Sequence, residues 1–349
     1  MTDHFETTIK GKKTRLFTLT NNNGMQVFIT NFGGKIVSIQ LPDKQRKPVD
    51  VVLGYNNIRD YIHGNPFFGA LVGRYANRID KGEFMLDGET YYLHKNYGNV
   101  HLHGGNNGFH NVVWDAETRL INGEQALELR YLSPDGEENY PGNLQVDVIY
   151  RLTDENALKI EMHAETDRPT IINLTVHPFF NLAGEGNGTV LNQEVQINAD
   201  RFTSVKSGSM VPDGSLRPVA DTPFDFRKFK SIGEGFFSDD EQLKIAQGYD
   251  HNFVLNNNNQ DLCYAAAARD PFSDRGLEVW TDQPGLQFYT GNALDGNDTG
   301  KSGKPYLKYG AFCFEPQHFP DSPHHPAFPS VVLQPGEIYS HQSIFKFYF

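Results

Sequence analysis

Along most of the chain apolar and polar residues alternate with a period of two, and this restricts the fold more than any other feature. In "ALELRYL" Leu127, Leu129 and Tyr131 alternate with Glu128 and Arg130, and in "LQVDVIYRL" Leu144, Val146, Val148 and Tyr150 share one face. After the polar turn "TDEN", Leu158, Ile160 and Met162 alternate with Lys159, Glu161 and His163. Successive side chains of an extended chain point to opposite faces, so such runs read as half-buried strands. "FMLDGETYYL" predicts a hairpin that turns at Asp87-Gly88, where positive φ is tolerated. Further strands are expected in "MQVFIT", "KIVSIQL", "GLEVWT" and "LQFYTG". No long run carries helical periodicity, and "NIRDYI" offers at most a single turn. With 33 glycines and 19 prolines as punctuation, the expectation is all-β: antiparallel sheets packed face to face. No fixed-period repeat suggests a propeller. No linker divides the chain and "LNNNNQD" reads as a loop, so residues 1–349 are expected to form one domain.

Bulk composition narrows the partners. A chain of 349 residues buries roughly three quarters of its unfolded surface and needs no disulfide or metal to hold a core. The two cysteines, Cys263 and Cys313, lie in apolar surroundings and read as buried thiols. A charge of −12, from 31 basic and 43 acidic residues, argues against nucleic acid or an anionic membrane as partner. No apolar run approaches the ~18 residues of a membrane span. "MTDHFETTIK" lacks an apolar signal core, which predicts a cytoplasmic protein.

Two strands share a grammar that would load a cleft. "TIINLTVHPFF" sets Ile172, Leu174 and Val176 on one face and Asn173, Thr175 and His177 on the other, and Pro178 should end it. "GAFCFEPQ" sets Phe312 and Phe314 against Ala311, Cys313 and Glu315, with Pro316 expected to stop it. Each strand thus delivers one ionisable group at its end, opposite its bulky apolar side chains, as an acid/base pair requires. "GRYANRI" places Arg74 and Arg78 four apart, as a fork for hydroxyls or carboxylates. In "NVHLHGG" His101 and His103 should point to one side, and Gly104-Gly105 permits close backbone approach. In "GYDHNF" Asp250 and His251 fall on opposite faces of an extended segment. The stretch "FCFEPQHFPDSPHHPAFP" raises a metal reading, with Glu315, His318, His324 and His325 as ligands. The proline-broken spacing favours surface or rim histidines instead, and no metal is expected.

Six motifs in order, "GRYANRIDKGEF", "LHGG", "HPFFNLAG", "YDHNF", "QPGLQFYTGN" and "FCFEPQHFPDSPHHPAFPS", resemble the aldose 1-epimerase (galactose mutarotase) family. The likeness runs from Gly24-Met25 to the terminal "FKFYF". It implies a large antiparallel β-sandwich, the galactose mutarotase-like supersandwich. It also implies roles: Glu315 as general base, His177 as general acid, and Asn77, Arg78, His103, Asp250 and Gln287 on the sugar hydroxyls. One departure is the "HPFF" pair, where many relatives differ; it leaves His177 in place and alters only the cleft wall. The activity implied is interconversion of α and β anomers of aldohexoses by opening and reclosing the ring. That chemistry needs no cofactor; the sequence leaves open a structural calcium ion and the choice between monomer and homodimer. Three rivals are a sugar-phosphate epimerase with a basic phosphate clamp, a glycoside hydrolase using Asp250 with Glu315, and a non-catalytic carbohydrate-binding module.

Overall fold

The computed structural model describes residues 2–256 and 261–349, so the centre of the asparagine-rich stretch lies outside the described residues. The alternation becomes three large antiparallel sheets beside several two-stranded ones. A nine-stranded sheet runs Asp115–Ile121, Glu124–Ser133, Leu144–Leu152, Ala157–Thr166, Tyr339–Tyr348, Gly276–Thr281, Cys263–Arg269, Glu194–Ile197 and Lys230–Ser231. A five-stranded sheet runs Pro212–Pro218, Ala199–Val205, Asp250–Leu255, Gly285–Tyr289 and Cys313–Gln317. The four-stranded sheet comprises Leu16–Thr20, Gln26–Thr30, Lys35–Pro42 and Pro48–Asp50.

Register follows from the apolar pattern. Leu129 faces Val148 and Val148 faces Met162 across consecutive strands, so one row of apolar side chains turns inward together. A slip by one residue would expose the whole row, which is why the pairing is specific. One apolar cluster joins Val146, Val148 and Met162 to Leu286, Phe288 and Phe314 of the five-stranded sheet and to Val27, Ile29 and Ile39 of the four-stranded one. The sandwich is thus held by inner faces that the alternation had marked. The hairpin Glu83–Leu86 to Glu89–Tyr92 turns as expected, with φ +50° at Asp87 and +82° at Gly88.

Five local expectations need correction. The run "TIINLTVHPFF" forms not one strand but two, Thr170–Ile171 paired with Val332–Leu333 and Thr175–His177 paired with Ala70–Val72. The strand Cys313–Gln317 continues through Pro316, opposite Leu286. It is the edge strand of its sheet, where a missing N–H is tolerated. Cys313 is buried, but Cys263 is only half-buried because it opens its strand beside a loop. The turn "NIRDYI" is the helix Ile58–His63, capped by the Asn57 side chain accepting from the Asp60 N–H. A second helix, Glu241–Ala246, escaped sequence reading because six residues are too few to show a 3.6 period. It matters to function, since Ile245, Ala246 and the adjoining Gln247 line the cleft.

Candidate active site

The five-stranded sheet presents one face to its core and the other to a cleft. Leu286, Phe288, Phe253 and Phe314 point to the core. On the opposite face Asn252, Gln287 and Glu315 form one cross-strand row, with Asp250 facing Tyr289 two residues along. The strand Thr175–His177 ends beside them at Pro178 and is tied to the Glu315 strand by Thr175 Oγ1 donating to the Pro316 carbonyl at 2.7 Å. His177 Nε2 therefore stands 3.5 Å from Glu315 Oε2. Both side chains are buried, and Glu315 Oε2 and His177 Nδ1 have no hydrogen-bond partner among the described residues. Unpaired buried polar atoms are costly, and facing a cleft they mark a place where a ligand completes the bonding.

Around this pair is a cleft of about 450 Å³ lined by Asn77, Arg78, His103, His177, Asp250 and Glu315. The Asp250 carboxylate is held at both oxygens, by Arg78 Nη2 at 3.0 Å and by Gln287 Nε2 at 2.6 Å. Gln287 is not on the cleft wall: it stands behind Asp250 and orients it. Asn77 adopts φ +66° and its Oδ1 accepts from the Arg78 N–H at 3.0 Å, so "NRI" is a local device that aims Arg78 inward. His103, at φ +51°, turns away from its strand, its N–H donating to the Asn77 carbonyl and its ring Nδ1 accepting from the Asn77 N–H, while Gly104 packs where any Cβ would meet the Gly73 carbonyl.

Several expected partners lie elsewhere. Arg74 does not join Arg78: its guanidinium is buried and donates to Ser133 Oγ and to the carbonyls of Ser133, Pro134 and Pro141. His101 does not share a side with His103, because the turn at His103 separates them. Its Nε2 meets the Tyr140 hydroxyl at 2.7 Å, outside the cleft. His251 is buried between Phe202 and Phe224, opposite Asp250 as alternation required. His318 meets Gln283 at 2.9 Å, and His324 and His325 both face Asp321, so none approaches Glu315 as a co-ligand.

Sequence reasoning missed the aromatic walls. The His177 ring lies between Phe179, at 4.8 Å and 10°, and Phe67, at 6.2 Å and 18°. The departure "HPFF" is thus resolved: its first Phe is the ring stacked on His177. Phe67 also packs on His103 at 4.8 Å. Nothing in the sequence around Phe67 signalled this, since it reaches the site through folding alone.

Burial governs the proton inventory. It pushes the Glu315 carboxyl well above the usual carboxylate range, the Asp250 charge acting the same way and Arg78 opposing. Burial lowers His177 to about 4, with Asp250 opposing. Burial also holds His103 well below its usual value, helped by the neighbouring His177 and Arg78. Burial thus favours the neutral form of both groups, a carboxylic acid at Glu315 and an uncharged imidazole at His177.

His103, His177 and Glu315 bring ligand atoms within 4.8 Å of one another, so the third ligand that a histidine-based metal site needs is present. The hydrogen bonding argues against that use. His103 Nδ1 accepts the Asn77 N–H at 3.2 Å, which leaves Nε2 to carry the ring proton and donate to a ligand. A metal-bound histidine instead donates its second ring N–H to an acceptor. We expect exhaustive chelation to leave activity unchanged; a loss restored by zinc would overturn this reading of His103.

The chain is similar to known proteins along nearly its whole length. Residues 15–346 match the family model described as aldose 1-epimerase. The chain is 43% identical over 323 residues to the galactose mutarotase of Rattus norvegicus, covering 93% of this chain and 91% of that protein. It is 38% identical over 340 residues to the aldose 1-epimerase of Escherichia coli K12, covering 97% and 96%. The crystal structure of a galactose 1-epimerase from Lactobacillus acidophilus NCFM superposes with a TM-score of 0.87 at 32% identity, covering 98% of this chain and 96% of that one. The fold is a large antiparallel β-sandwich, and the chain belongs to the aldose 1-epimerase family, whose members are isomerases. It is an enzyme of that activity.

Proposed function

We propose that the cleft interconverts the α and β anomers of free aldohexoses, galactose and glucose among them, with Glu315 and His177 moving the protons. The observation that supports this most is the facing pair, His177 Nε2 and Glu315 Oε2 at 3.5 Å in one cleft. That spacing suits two oxygens borne by a single carbon, the C1 hydroxyl and the ring O5. Ring opening transfers the C1 hydroxyl proton to the Glu315 carboxylate while His177, as imidazolium, protonates O5 as the C1–O5 bond breaks. The aldehyde turns about C1–C2. Closure returns the protons: neutral His177 takes one from the C5 hydroxyl as its oxygen attacks C1, and Glu315 protonates the carbonyl oxygen. No electrons or groups leave the sugar, and no cofactor enters the balance.

The neutral forms that burial favours, a carboxylic acid at Glu315 and an uncharged His177, are the ones that closure uses. Opening uses the other arrangement of the same single proton, so substrate binding has to move it from Glu315 to His177. Arg78 is suited to that, because its charge already opposes the upward push on Glu315. His103 Nε2–H and the Asp250 carboxylate would fix sugar hydroxyls, and Phe67 and Phe179 would cover an apolar sugar face. Replacing Arg78 with alanine is expected to raise KM and lower kcat together, because hydroxyl binding and alignment are lost at once. Kinetics equal to the parent would remove Arg78 from the site.

Particular observations weigh against the rivals. A hydrolase pairing Asp250 with Glu315 would leave His177 without a role, although it faces Glu315 at 3.5 Å inside the cleft. A phosphate clamp needs spare cations, and Arg78, already paired with Asp250, is the only lysine or arginine lining the described cleft. A binding module has no use for a buried carboxyl and imidazole without partners.

A further inference from the structure

We propose that Asp321 is the positioning residue for Arg78, with His324 and His325 serving to hold its carboxylate. This rests on the reading of Arg78 as a sugar-binding group, and it gives the proline-broken histidine loop a purpose outside the cleft. Arg78 sits on a two-residue strand, Arg78–Ile79, paired with another two-residue strand, His101–Leu102. A ladder that short fixes little by itself. Asp321 supplies the rest: its N–H donates to the Arg78 carbonyl at 2.9 Å and its Oδ1 accepts from the Asp80 N–H at 2.8 Å. One residue therefore clamps the backbone on both sides of Ile79, while the Arg78 guanidinium reaches Asp250 at the far end.

Asp321 is only 1% exposed, and a buried carboxylate is costly unless partnered. Its Oδ1 is partnered by the Asp80 N–H and by His324, and its Oδ2 faces His325 at ion-pair range without a hydrogen bond. His324 Nδ1 lies 2.6 Å from Oδ1 and His325 Nε2 lies 3.5 Å from Oδ2. The hydrogen bond to Asp321 raises His324 above its usual value against some burial, and the charges of Asp80 and Glu83 add to it. His325 is itself backed by Phe328, at 4.7 Å between rings. The Tyr75 hydroxyl fastens the same loop, accepting from the Ser322 N–H at 3.0 Å and donating to the Phe319 carbonyl at 3.2 Å. Asp321 adopts φ +58°, a conformation aspartate and asparagine tolerate better than most residues.

A double-mutant cycle on freshly dissolved α-galactose tests the proposal, with the thermal midpoint recorded for every variant. Asp321→Ala should raise KM roughly tenfold and lower kcat with it, the same pattern as Arg78→Ala, through misplacement of Arg78. Combined with Arg78→Ala it should add little, because both changes remove the same contact. His324→Ala with His325→Ala should move KM the same way by a smaller factor. If Asp321→Ala does not fold, Asp321→Asn, which keeps the backbone conformation and loses the charge, carries the same cycle with the same direction. An unchanged KM in folded Asp321→Ala or Asp321→Asn beside a raised KM in Arg78→Ala overturns the positioning role alone. So does full multiplicativity of the two effects. An unchanged KM in Arg78→Ala overturns the reading of Arg78 and this proposal with it.

Discussion

Glu315→Gln is expected to lower kcat by roughly 10²–10⁴-fold on fresh α-galactose while leaving the fold intact. The amide keeps the shape of the side chain and can neither accept nor return a proton at the C1 oxygen. Stability should be unchanged or slightly higher, because Glu315 is buried and its carboxylate is the form that burial disfavours. Loss of turnover with an unchanged thermal midpoint therefore separates chemistry from folding. Near-normal turnover would remove Glu315 as the proton-transferring group.

His177→Asn should produce the second large loss, since O5 then has no donor during opening and the C5 hydroxyl no acceptor during closure. The two groups act as one unit, so Glu315→Gln with His177→Asn should lose much less than the product of the single effects. A pH profile carries the same information. The pair works while it holds one proton between its two members, and its titration belongs to the pair. Activity should fall on the acid side as pH drops through about 4, where His177 takes a second proton. On the alkaline side it should fall only as pH passes the raised value of Glu315, above the range of an ordinary glutamate. An acid limb unchanged in the His177→Asn variant would contradict that assignment.

The sheets were legible because burial on one face of a strand writes itself as alternation, as in Leu144–Leu152. Glu315 and His177 were legible for the same reason: each stands opposite core residues on its own strand. The neighbours they share were not. Arg74 and Arg78 look alike in "GRYANR", and only carbonyls about sixty residues further on, at Ser133 and Pro134, take Arg74 away. Gln287 lies on the correct face, yet the register that sets it behind Asp250 comes from strand pairing. Phe67 reaches His103 and His177 across the fold, with no local pattern to announce it. The histidines of the loop were correctly separated from Glu315, but their partner, Asp321, gains meaning only through its bonds to Arg78 and Asp80.

The most direct measurement is polarimetry on freshly dissolved α-D-galactose and α-D-glucose, with and without micromolar protein. The optical rotation should reach the same equilibrium value in both cases, and reach it much sooner with protein present. A rate of approach equal to the uncatalysed one, with both sugars, would contradict the proposed function of the cleft.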